Sequence, residues 1–321
     1  MIDQEKKEAI YSVVLFGMPI MLILVFLLFG SKPTYKIIES KQSAETKQTL
    51  TPKSTQSSSF SDLNLTAKAV IVKDLNTGKI IYQKNADSAL PIASITKIMT
   101  AVVATEHIEN NSYSIPIVAE SARTGDGEYL QTGAKFKFKK LRDYMLVSSS
   151  NDGAAAIAIA TQKIDRANSF VDKMNLKAKE IGMTKTKFLN ETGLDENEQT
   201  AGAFGSANDI AKLVEYTIVN HPDIFEATRE SVFYITSETG QYYTATNTNQ
   251  TSDKFPSLIG SKTGFTDISG GNLVVTVDPS LNRPVVIVIL GSTFDGRFTD
   301  AEKISGAVGN YFSSAEQNVT L

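Results

Sequence analysis

Residues 90–101 read LPIASITKIMTA, and this stretch decides how the rest of the chain is interpreted. Apolar residues repeat there at helical spacing and predict a helix that begins near Ser94; they are Ile95, Ile98, Met99, Val102 and Val103. Ser94 and Lys97 then share one face of the helix, close enough for the amine to reach the hydroxyl. A serine at a helix N-terminus also has backbone N–H groups nearby that can receive an oxyanion. The pattern favours acyl transfer to Ser94.

Lys97 can serve as the base for Ser94 only if its amine is partly neutral near pH 7. Its pKa must therefore fall by about three units through burial and a nearby positive charge. We expect Lys262 to supply that charge. An isolated Ser-x-x-Lys match is more often an exposed lysine on an amphipathic helix, so the interpretation depends on further motifs.

Two Ser-x-Asn strings occur, and their surroundings separate them. Ser149-Ser150-Asn151 lies between the apolar residues 144–147 and the alanine-rich residues 152–158. This context predicts a loop between two buried helices, where polar side chains can point into a cleft. Ser206-Ala207-Asn208 instead opens a helical pattern, so we predict that Ser206 is an N-cap.

Lys262-Thr263-Gly264 lies among β-rich segments. Residues 258–259 precede it, and residues 272–277 and 284–290 are predicted neighbouring strands. Gly264 would let a substrate backbone lie against a strand edge, while Lys262 and Thr263 face an anionic group. A lone tripeptide of this kind is more often a turn.

The three motifs and four longer stretches resemble the serine-type D-alanyl-D-alanine carboxypeptidases, which are low-molecular-weight penicillin-binding proteins of the penicillin-recognising serine hydrolases. The stretches are residues 90–101, 170–184, 188–195 and 260–267. The resemblance covers roughly residues 62 to 313.

The order of predicted elements indicates a mixed α+β fold. A hairpin at 69–83 turns at 76–78, a helical middle runs from 94 to about 220, strands follow from about 231 to 290, and a last helix lies near 299–312. The resemblance implies a β-lactamase/transpeptidase-like fold, in which a helical subdomain packs on a five-stranded antiparallel sheet with the active site between them.

The resemblance also implies roles for individual residues. Ser94 is the expected nucleophile and Lys97 its general base, with Ser149 and Asn151 completing proton transfer and substrate positioning. The backbone N–H groups of Ser94 and Phe265 would form the oxyanion hole. Lys262 would add positive potential, Gly264 would admit the substrate backbone, and Thr263 with Arg297 would hold the substrate's terminal carboxylate. The alternative for Arg297 is a surface salt bridge.

The implied reaction is attack of Ser94 on the bond between two terminal D-alanines of a peptidoglycan stem peptide, followed by hydrolysis of the acyl-enzyme. β-Lactams would acylate the same serine as covalent inhibitors. Three alternatives stay open: a D-alanyl-D-alanine endopeptidase that cuts cross-links, a β-lactamase, and a non-catalytic peptidoglycan-binding protein. The β-lactamase is weakened because there is no convincing Glu-x-x-Leu-Asn box.

Composition excludes other chemistries. The chain has no cysteine and only two histidines, His107 and His221, so thiol nucleophiles, zinc peptidase motifs and a histidine-based triad are unexpected. We expect no metal and no cofactor. The net charge of -3 gives no signal for nucleic acid. The basic residues 135–140 alternate with phenylalanine and favour an amphipathic edge strand.

The N-terminal region predicts a location. Residues 11–30 form an almost unbroken apolar run without charge, long enough to span a bilayer and favoured as an uncleaved anchor over a signal peptide. We expect a cytoplasmic tail at 1–10, a flexible polar linker at 31–61, an extracytoplasmic catalytic domain at 62–313 and a tail at 314–321. The lysine count around the span favours the opposite orientation, so this one depends on the resemblance.

Overall fold

A computed structural model describes residues 58–61, 63–122, 130–255 and 257–317. The predicted anchor at 11–30, and most of the predicted linker, lie outside the described residues. Within the described ranges, no helix combines the length and apolar character that crossing a membrane requires.

The described part of the chain contains twelve strands and six α-helices, besides short 3-10 turns and loops. The strands are β1 Ala69–Asp74, β2 Ile80–Lys84, β3 Leu90–Pro91, β4 Ser114–Pro116, β5 Lys135–Lys137, β6 Lys187–Phe188, β7 Ala203–Gly205, β8 Val232–Thr236, β9 Tyr242–Thr246, β10 Leu258–Thr266, β11 Gly270–Val277 and β12 Val285–Ser292. The helices are α1 Thr96–His107, α2 Phe138–Ser148, α3 Asn151–Ile164, α4 Phe170–Ile181, α5 Ala207–Asn220 and α6 Gly296–Gln317.

The central sheet has five strands in the order β10-β11-β12-β1-β2, and every neighbouring pair is antiparallel. Its strands come from both ends of the chain, with the helical middle inserted between β2 and β10. The prediction of a five-stranded antiparallel sheet with a helical subdomain is confirmed. The predicted first hairpin is also present, and Gly78 closes its turn with φ +71° and a hydrogen bond from its N–H to the Asp74 carbonyl at 2.9 Å.

Alternating side chains of the sheet face two separate hydrophobic clusters, as the two-residue period of a strand requires. Along β12, Val286, Val288 and Leu290 pack into the cluster that holds the helical middle. The intervening Val285, Ile287 and Ile289 pack into a second cluster with the α6 residues Phe298, Ala301 and Ile304. The first cluster includes Ile95 and Ile98, so the helix that follows Ser94 is anchored directly in the core.

Three boundaries differ from the sequence-based expectation. The predicted edge strand at 135–140 is a strand only from Lys135 to Lys137, because Phe138 begins α2 and is buried there. The last helix is longer than predicted. Phe60, at the end of the predicted linker, is buried and stacks on Tyr82 with ring centroids 5.3 Å apart, so the folded unit includes residues before 62.

Candidate active site

Ser94 lies on a 3-10 turn, Ala93–Ile95, that leads directly into α1. Ala93 just before it has φ +46°, a left-handed conformation that is unfavourable for a residue with a Cβ. Such strain persists only where neighbouring structure enforces it. The backbone at Gly193 packs closely against this turn, since a Cβ there would lie 2.0 Å from the Ala93 carbonyl oxygen. The turn is therefore held tightly around Ser94.

Lys97 is fully buried and its amine contacts three acceptors. Nζ donates to Ser94 Oγ, to Asn151 Oδ1 and to the Thr192 carbonyl, each at 2.8 Å. These three bonds use every donor of a charged ammonium. When the amine is neutral it keeps two donors and gains a lone pair, so the Ser94 hydroxyl can then donate to it. The same contact thus serves either protonation state.

Burial lowers the pKa of Lys97 from 10.5 to about 7, with the Glu191 carboxylate opposing the shift. Burial therefore meets the predicted requirement for a partly neutral amine near pH 7, without the contribution that was expected from the charge of Lys262. Burial also lowers the pKa of Lys262 well below its ordinary value, and the charges of Lys97 and Arg297 add to that effect. The site accommodates one ammonium more readily than two.

Ser149 lies where the sequence predicts it, between two buried helices, and Asn151 is the first residue of the second helix. α2 ends at Ser148, Ser149 has φ +60°, and Ser150 caps α3 by accepting from the Gly153 N–H at 3.0 Å. This short corner aims Ser149 Oγ at Lys262, whose Nζ donates to it at 2.9 Å.

The second Ser-x-Asn string is a helix cap, as predicted. Ser206 Oγ accepts from the Asp209 N–H at 3.1 Å at the start of α5.

Lys262, Thr263 and Gly264 lie inside β10, not in a turn. A Cβ on Gly264 would be 2.7 Å from the Ile92 carbonyl oxygen and 3.1 Å from the backbone nitrogen of Ser94. Only glycine lets this strand approach the nucleophile turn so closely.

Arg297 is buried, so the alternative of a surface salt bridge is wrong. Its Nη1 donates to the Gly264 carbonyl at 3.0 Å, and its guanidinium lies 4.3 Å from the Phe294 ring centroid. Its Nε has no hydrogen-bond partner among the described residues. Burial lowers the pKa of Arg297 to about 10, against the nearby Asp295. Arg297 therefore stays cationic at neutral pH. Thr263 Oγ1 donates to Thr248 Oγ1 at 2.6 Å.

A cleft of about 550 Å³ joins most of the predicted residues. The predicted residues in its lining are Ser94, Ser149, Asn151, Thr263, Gly264, Phe265 and Arg297. Lys97 and Lys262 are buried beneath, each bonded to a lining serine. The cleft therefore brings the Ser94 hydroxyl, with the Lys97 amine bonded to it, and a cationic guanidinium within reach of one ligand.

Sequence reasoning assigned no role to several lining residues, which include Leu194, Asp195, Thr248, Gln250, Thr266, Asp267 and Phe294. Thr266 and Asp267 directly follow the Lys-Thr-Gly motif, so their position along the strand could have indicated them. The Thr192 carbonyl that binds Lys97 left no signal, because a backbone acceptor is independent of residue type.

Comparison with known proteins now decides the family. The family model described as D-alanyl-D-alanine carboxypeptidase matches residues 53–293, well over half of the chain. The chain belongs to the D-alanyl-D-alanine carboxypeptidase family. Its members are serine peptidases, which agrees with Ser94 at the centre of the cleft. The resemblance inferred from the motifs is confirmed.

Among individual members of the D-alanyl-D-alanine carboxypeptidase family, the carboxypeptidase DacF of Bacillus subtilis (strain 168) is 30% identical over 238 residues. That alignment covers 73% of this chain and 59% of DacF. A D-alanyl-D-alanine endopeptidase of Haemophilus influenzae is also 30% identical over 230 residues, which cover 71% of this chain and 76% of that protein. The chain thus spans less than two thirds of the length of DacF.

Solved structures agree with the fold. Penicillin-binding protein D2 from Listeria monocytogenes, in its ampicillin-bound form, has a TM-score of 0.66 at 28% identity, covering 77% of this chain and 98% of that one. The D-alanyl-D-alanine carboxypeptidase DacD from Francisella tularensis has a TM-score of 0.67 at 26% identity, covering 76% of this chain and 70% of that one. The mixed α/β, transpeptidase-like fold is confirmed.

Proposed function

We propose that this protein is a membrane-anchored serine D-Ala-D-Ala carboxypeptidase, which removes the terminal D-alanine from peptidoglycan stem peptides through a Ser94 acyl-enzyme. One observation carries the proposal. The Lys97 amine, fully buried and with a pKa of about 7, contacts both Ser94 Oγ and Asn151 Oδ1 at 2.8 Å. A neutral amine in that position can take the serine proton.

Acylation begins when the proton of Ser94 Oγ passes to neutral Lys97 and Oγ bonds to the scissile carbonyl carbon. The backbone N–H groups of Ser94 and Phe265 receive the resulting oxyanion. As the carbon–nitrogen bond breaks, the leaving amine takes the proton of Ser149 Oγ. Ser149 then recovers a proton from the Lys97 ammonium, which becomes neutral. D-Alanine departs, and the acyl group remains on Ser94.

Deacylation reuses the same base. Lys97, neutral again, takes a proton from a water molecule that attacks the acyl carbonyl. The tetrahedral intermediate collapses, Ser94 Oγ recovers its proton, and the shortened peptide leaves.

A carboxypeptidase must recognise the free carboxylate at the end of its substrate. The cleft beside Ser94 is lined by the Thr263 hydroxyl and by the cationic Arg297, whose Nε has no hydrogen-bond partner within the described ranges. β-Lactams carry a carboxylate next to an acylating carbonyl and are expected to bind the same way. The similarity to a penicillin-binding protein in an ampicillin-bound form supports this part of the proposal.

The decisive experiment measures D-alanine release from a pentapeptide ending in D-Ala-D-Ala. The full chain in detergent should release D-alanine, and the Ser94→Ala variant should not. Equal release from both would overturn the mechanism. If the wild-type chain neither releases D-alanine nor is labelled by fluorescent penicillin, a non-catalytic peptidoglycan-binding protein is favoured instead.

An endopeptidase is the second candidate, because the Haemophilus influenzae relative of equal identity carries that name. The two activities share the acyl-enzyme and differ in the leaving group. Mass spectrometry of purified muropeptides after incubation separates them. Loss of cross-linked dimers, with pentapeptide monomers unchanged, would replace the carboxypeptidase proposal.

The location also belongs to the proposal. Residues 11–30 would span the membrane once, with 1–10 in the cytoplasm and the catalytic domain outside, where peptidoglycan lies. The uncharged apolar run supports the span. A protease-accessibility assay on intact spheroplasts should cleave the catalytic domain, and its protection there would contradict this orientation.

A further inference from the structure

Asn190 lies in the loop between β6 and β7, and its side chain binds that loop to itself. The side-chain oxygen accepts from the Thr192 N–H at 3.1 Å, from the Thr192 hydroxyl at 3.0 Å and from the Gly193 N–H at 2.7 Å. Nδ2 donates to the Leu194 carbonyl at 2.8 Å and to Glu196 Oε1 at 2.6 Å. One amide therefore fixes backbone groups of three consecutive residues.

The loop that Asn190 fixes supplies one of the three acceptors around Lys97. The Thr192 carbonyl accepts from Lys97 Nζ at 2.8 Å, beside the bonds that the amine makes to Ser94 Oγ and Asn151 Oδ1. Thr192 offers a backbone atom, whose position is set by the conformation of the loop. The alignment of the lysine amine with the Ser94 hydroxyl therefore depends on what holds the loop in place.

Close backbone contacts show how tightly the loop is held. Gly193 has φ +78°, and a Cβ there would lie 2.0 Å from the Ala93 carbonyl oxygen and 2.6 Å from Thr96 Oγ1. Gly202, just before β7, lies close to the amide itself, since a Cβ there would be 2.5 Å from Asn190 Nδ2. The loop is thus packed between the turn that carries Ser94 and the segment that leads into β7.

The same loop also affects the charge of Lys97. A carbonyl that accepts from an ammonium favours the charged form, so the Thr192 bond opposes the effect of burial. The Glu191 carboxylate acts in the same direction and raises the pKa of Lys97. Lys262 approaches from β10, and its own pKa is lowered by the charge of Lys97. Displacing the loop would weaken two groups that favour the ammonium and leave Lys262 in place, so the pKa of Lys97 should fall.

We propose that Asn190 is a positioning residue for the general base, because its side-chain oxygen holds the Thr192 carbonyl against the Lys97 amine and so aligns that amine with Ser94. This inference rests on the proposed function, since it takes Lys97 as the base. Asn190 is not among the residues that line the cleft, and it acts through the backbone of Thr192.

The test follows the rate of Ser94 acylation by fluorescent penicillin from about pH 5 to 9, with the full chain in detergent. Asn190→Ala removes every bond that the amide makes. The midpoint of the rising acid limb should fall by about one pH unit, because a bond to a charged group is weakened. The plateau rate should fall by about tenfold, because the amine is no longer aligned. A purely structural role would lower the stability without moving the midpoint.

Asn175→Ala is the matched control. Asn175 also binds backbone groups of this part of the chain, since it accepts from the Phe188 N–H and donates to the Phe188 carbonyl, each at 2.9 Å. Its loss should lower the stability and leave the midpoint at the wild-type pH. Asn190→Asp is the conservative variant, because it keeps the accepting oxygen. Its midpoint should not fall.

A labelled wild type with an unchanged or raised midpoint in Asn190→Ala would overturn the inference and leave Lys97 as the base. An equal fall in Asn175→Ala or in Asn190→Asp would also overturn it. If Asn190→Ala does not fold, Thr192→Val decides, since it removes the hydroxyl that binds Asn190 and keeps the carbonyl. Its midpoint should fall by a smaller amount, and an unchanged midpoint would overturn the inference. Absence of wild-type labelling at every pH would overturn the proposed function, and the inference with it.

Discussion

The two ends of helix α1 bury charged groups in opposite ways. Near its first turn, Lys97 is fully buried, and its amine contacts the neutral oxygens of Ser94, Asn151 and Thr192. Near its last turn, Glu106 accepts from Lys177 at 2.8 Å. Among the described residues, Glu106 is therefore in contact with an opposite charge, whereas Lys97 donates to neutral oxygens.

The pKa values follow from this difference. Burial lowers the pKa of Lys97 to about 7. Burial also disfavours the charge of Lys177, but hydrogen bonds to the carboxylates of Glu106 and Glu180 outweigh it and raise the pKa of Lys177. Burial without a contacting carboxylate therefore favours the neutral form of an amine, which can accept a proton, whereas contact with carboxylates keeps an amine charged.

Lys97→Arg should have the largest effect, because it removes the amine that can become neutral. Arginine keeps the positive charge but cannot be neutral at physiological pH, so it cannot accept the Ser94 proton. We expect the rate of Ser94 acylation by fluorescent penicillin to fall by about a thousandfold. Labelling is followed by gel fluorescence against time.

Lys177→Arg is the matched control, because arginine can keep the ion pairs with Glu106 and Glu180. It should be labelled at nearly the wild-type rate. Labelling of Lys97→Arg within tenfold of wild type would mean that this lysine is not the base.

The pH dependence of kcat/KM is a second test of Lys97 as the proton acceptor. Only the neutral form of Lys97 can accept a proton, and that form grows as the pH rises through about 7. D-Alanine release should therefore increase about tenfold per pH unit well below 7 and level off above it. A profile that is flat from about pH 5.5 to 8, measured under conditions where the fold is intact, contradicts the assignment.

Glu106→Gln tests whether the ion pair between Glu106 and Lys177 stabilises the fold. It removes the carboxylate that Lys177 pairs with, at a site where both side chains are mostly buried. We expect a loss of about 2 kcal/mol in the free energy of unfolding, measured by urea denaturation, with little change in kcat/KM. An unchanged urea midpoint would show that the pair contributes nothing.

The stability difference at Glu106 should also depend on pH. The hydrogen bonds and charge of its partners hold the pKa of Glu106 below its ordinary 4.5, although burial acts the other way. Its contribution is therefore present above the unfolded pKa and is lost as the pH falls through the lower folded value. The gap between wild type and Glu106→Gln should narrow under acid conditions.

Tyr216→Phe should have the smallest effect. Its hydroxyl donates to Glu106 Oε1 at 2.7 Å, so its removal should cost about 1 kcal/mol of unfolding free energy. A double-mutant cycle with Glu106→Gln should show that the two losses are not additive, because they share one bond. Strict additivity would place the effect of Tyr216 elsewhere, for instance in its ring contact with Lys177.

Much of the site could be predicted because its motifs lie on strongly patterned elements. The helical repeat after Ser94, the apolar segments around Ser149 and the β-rich segments around Lys262 each fixed the local structure. The family resemblance, and not any local pattern, implied that the three motifs meet in one site, because no local pattern relates positions so far apart in sequence.

The rest could not be predicted, for identifiable physical reasons. Lys135–Lys137 alternates like the residues after it, but the buried Phe138 starts a helix, so tertiary packing overrides the alternation. His221 directly follows α5 and contacts Glu106 at 3.3 Å, a pairing of distant segments that no local pattern indicates. Asp195 reaches β10 through a pairing of distant segments that the sequence does not encode locally.

The close packing around Gly264 restricts the mutations by which the cleft could exclude an antibiotic. A methyl group at this position would collide with the turn that carries Ser94, so mutation cannot narrow the entrance there without displacing the nucleophile. The exposed rings of Phe265 and Phe294 meet edge to face at 5.0 Å on the rim of the same cleft, with no comparable restriction. Resistance that spares the natural substrate is therefore expected to evolve at this aromatic rim, and an inhibitor that avoids the rim and contacts only the glycine edge would leave the enzyme few routes of escape.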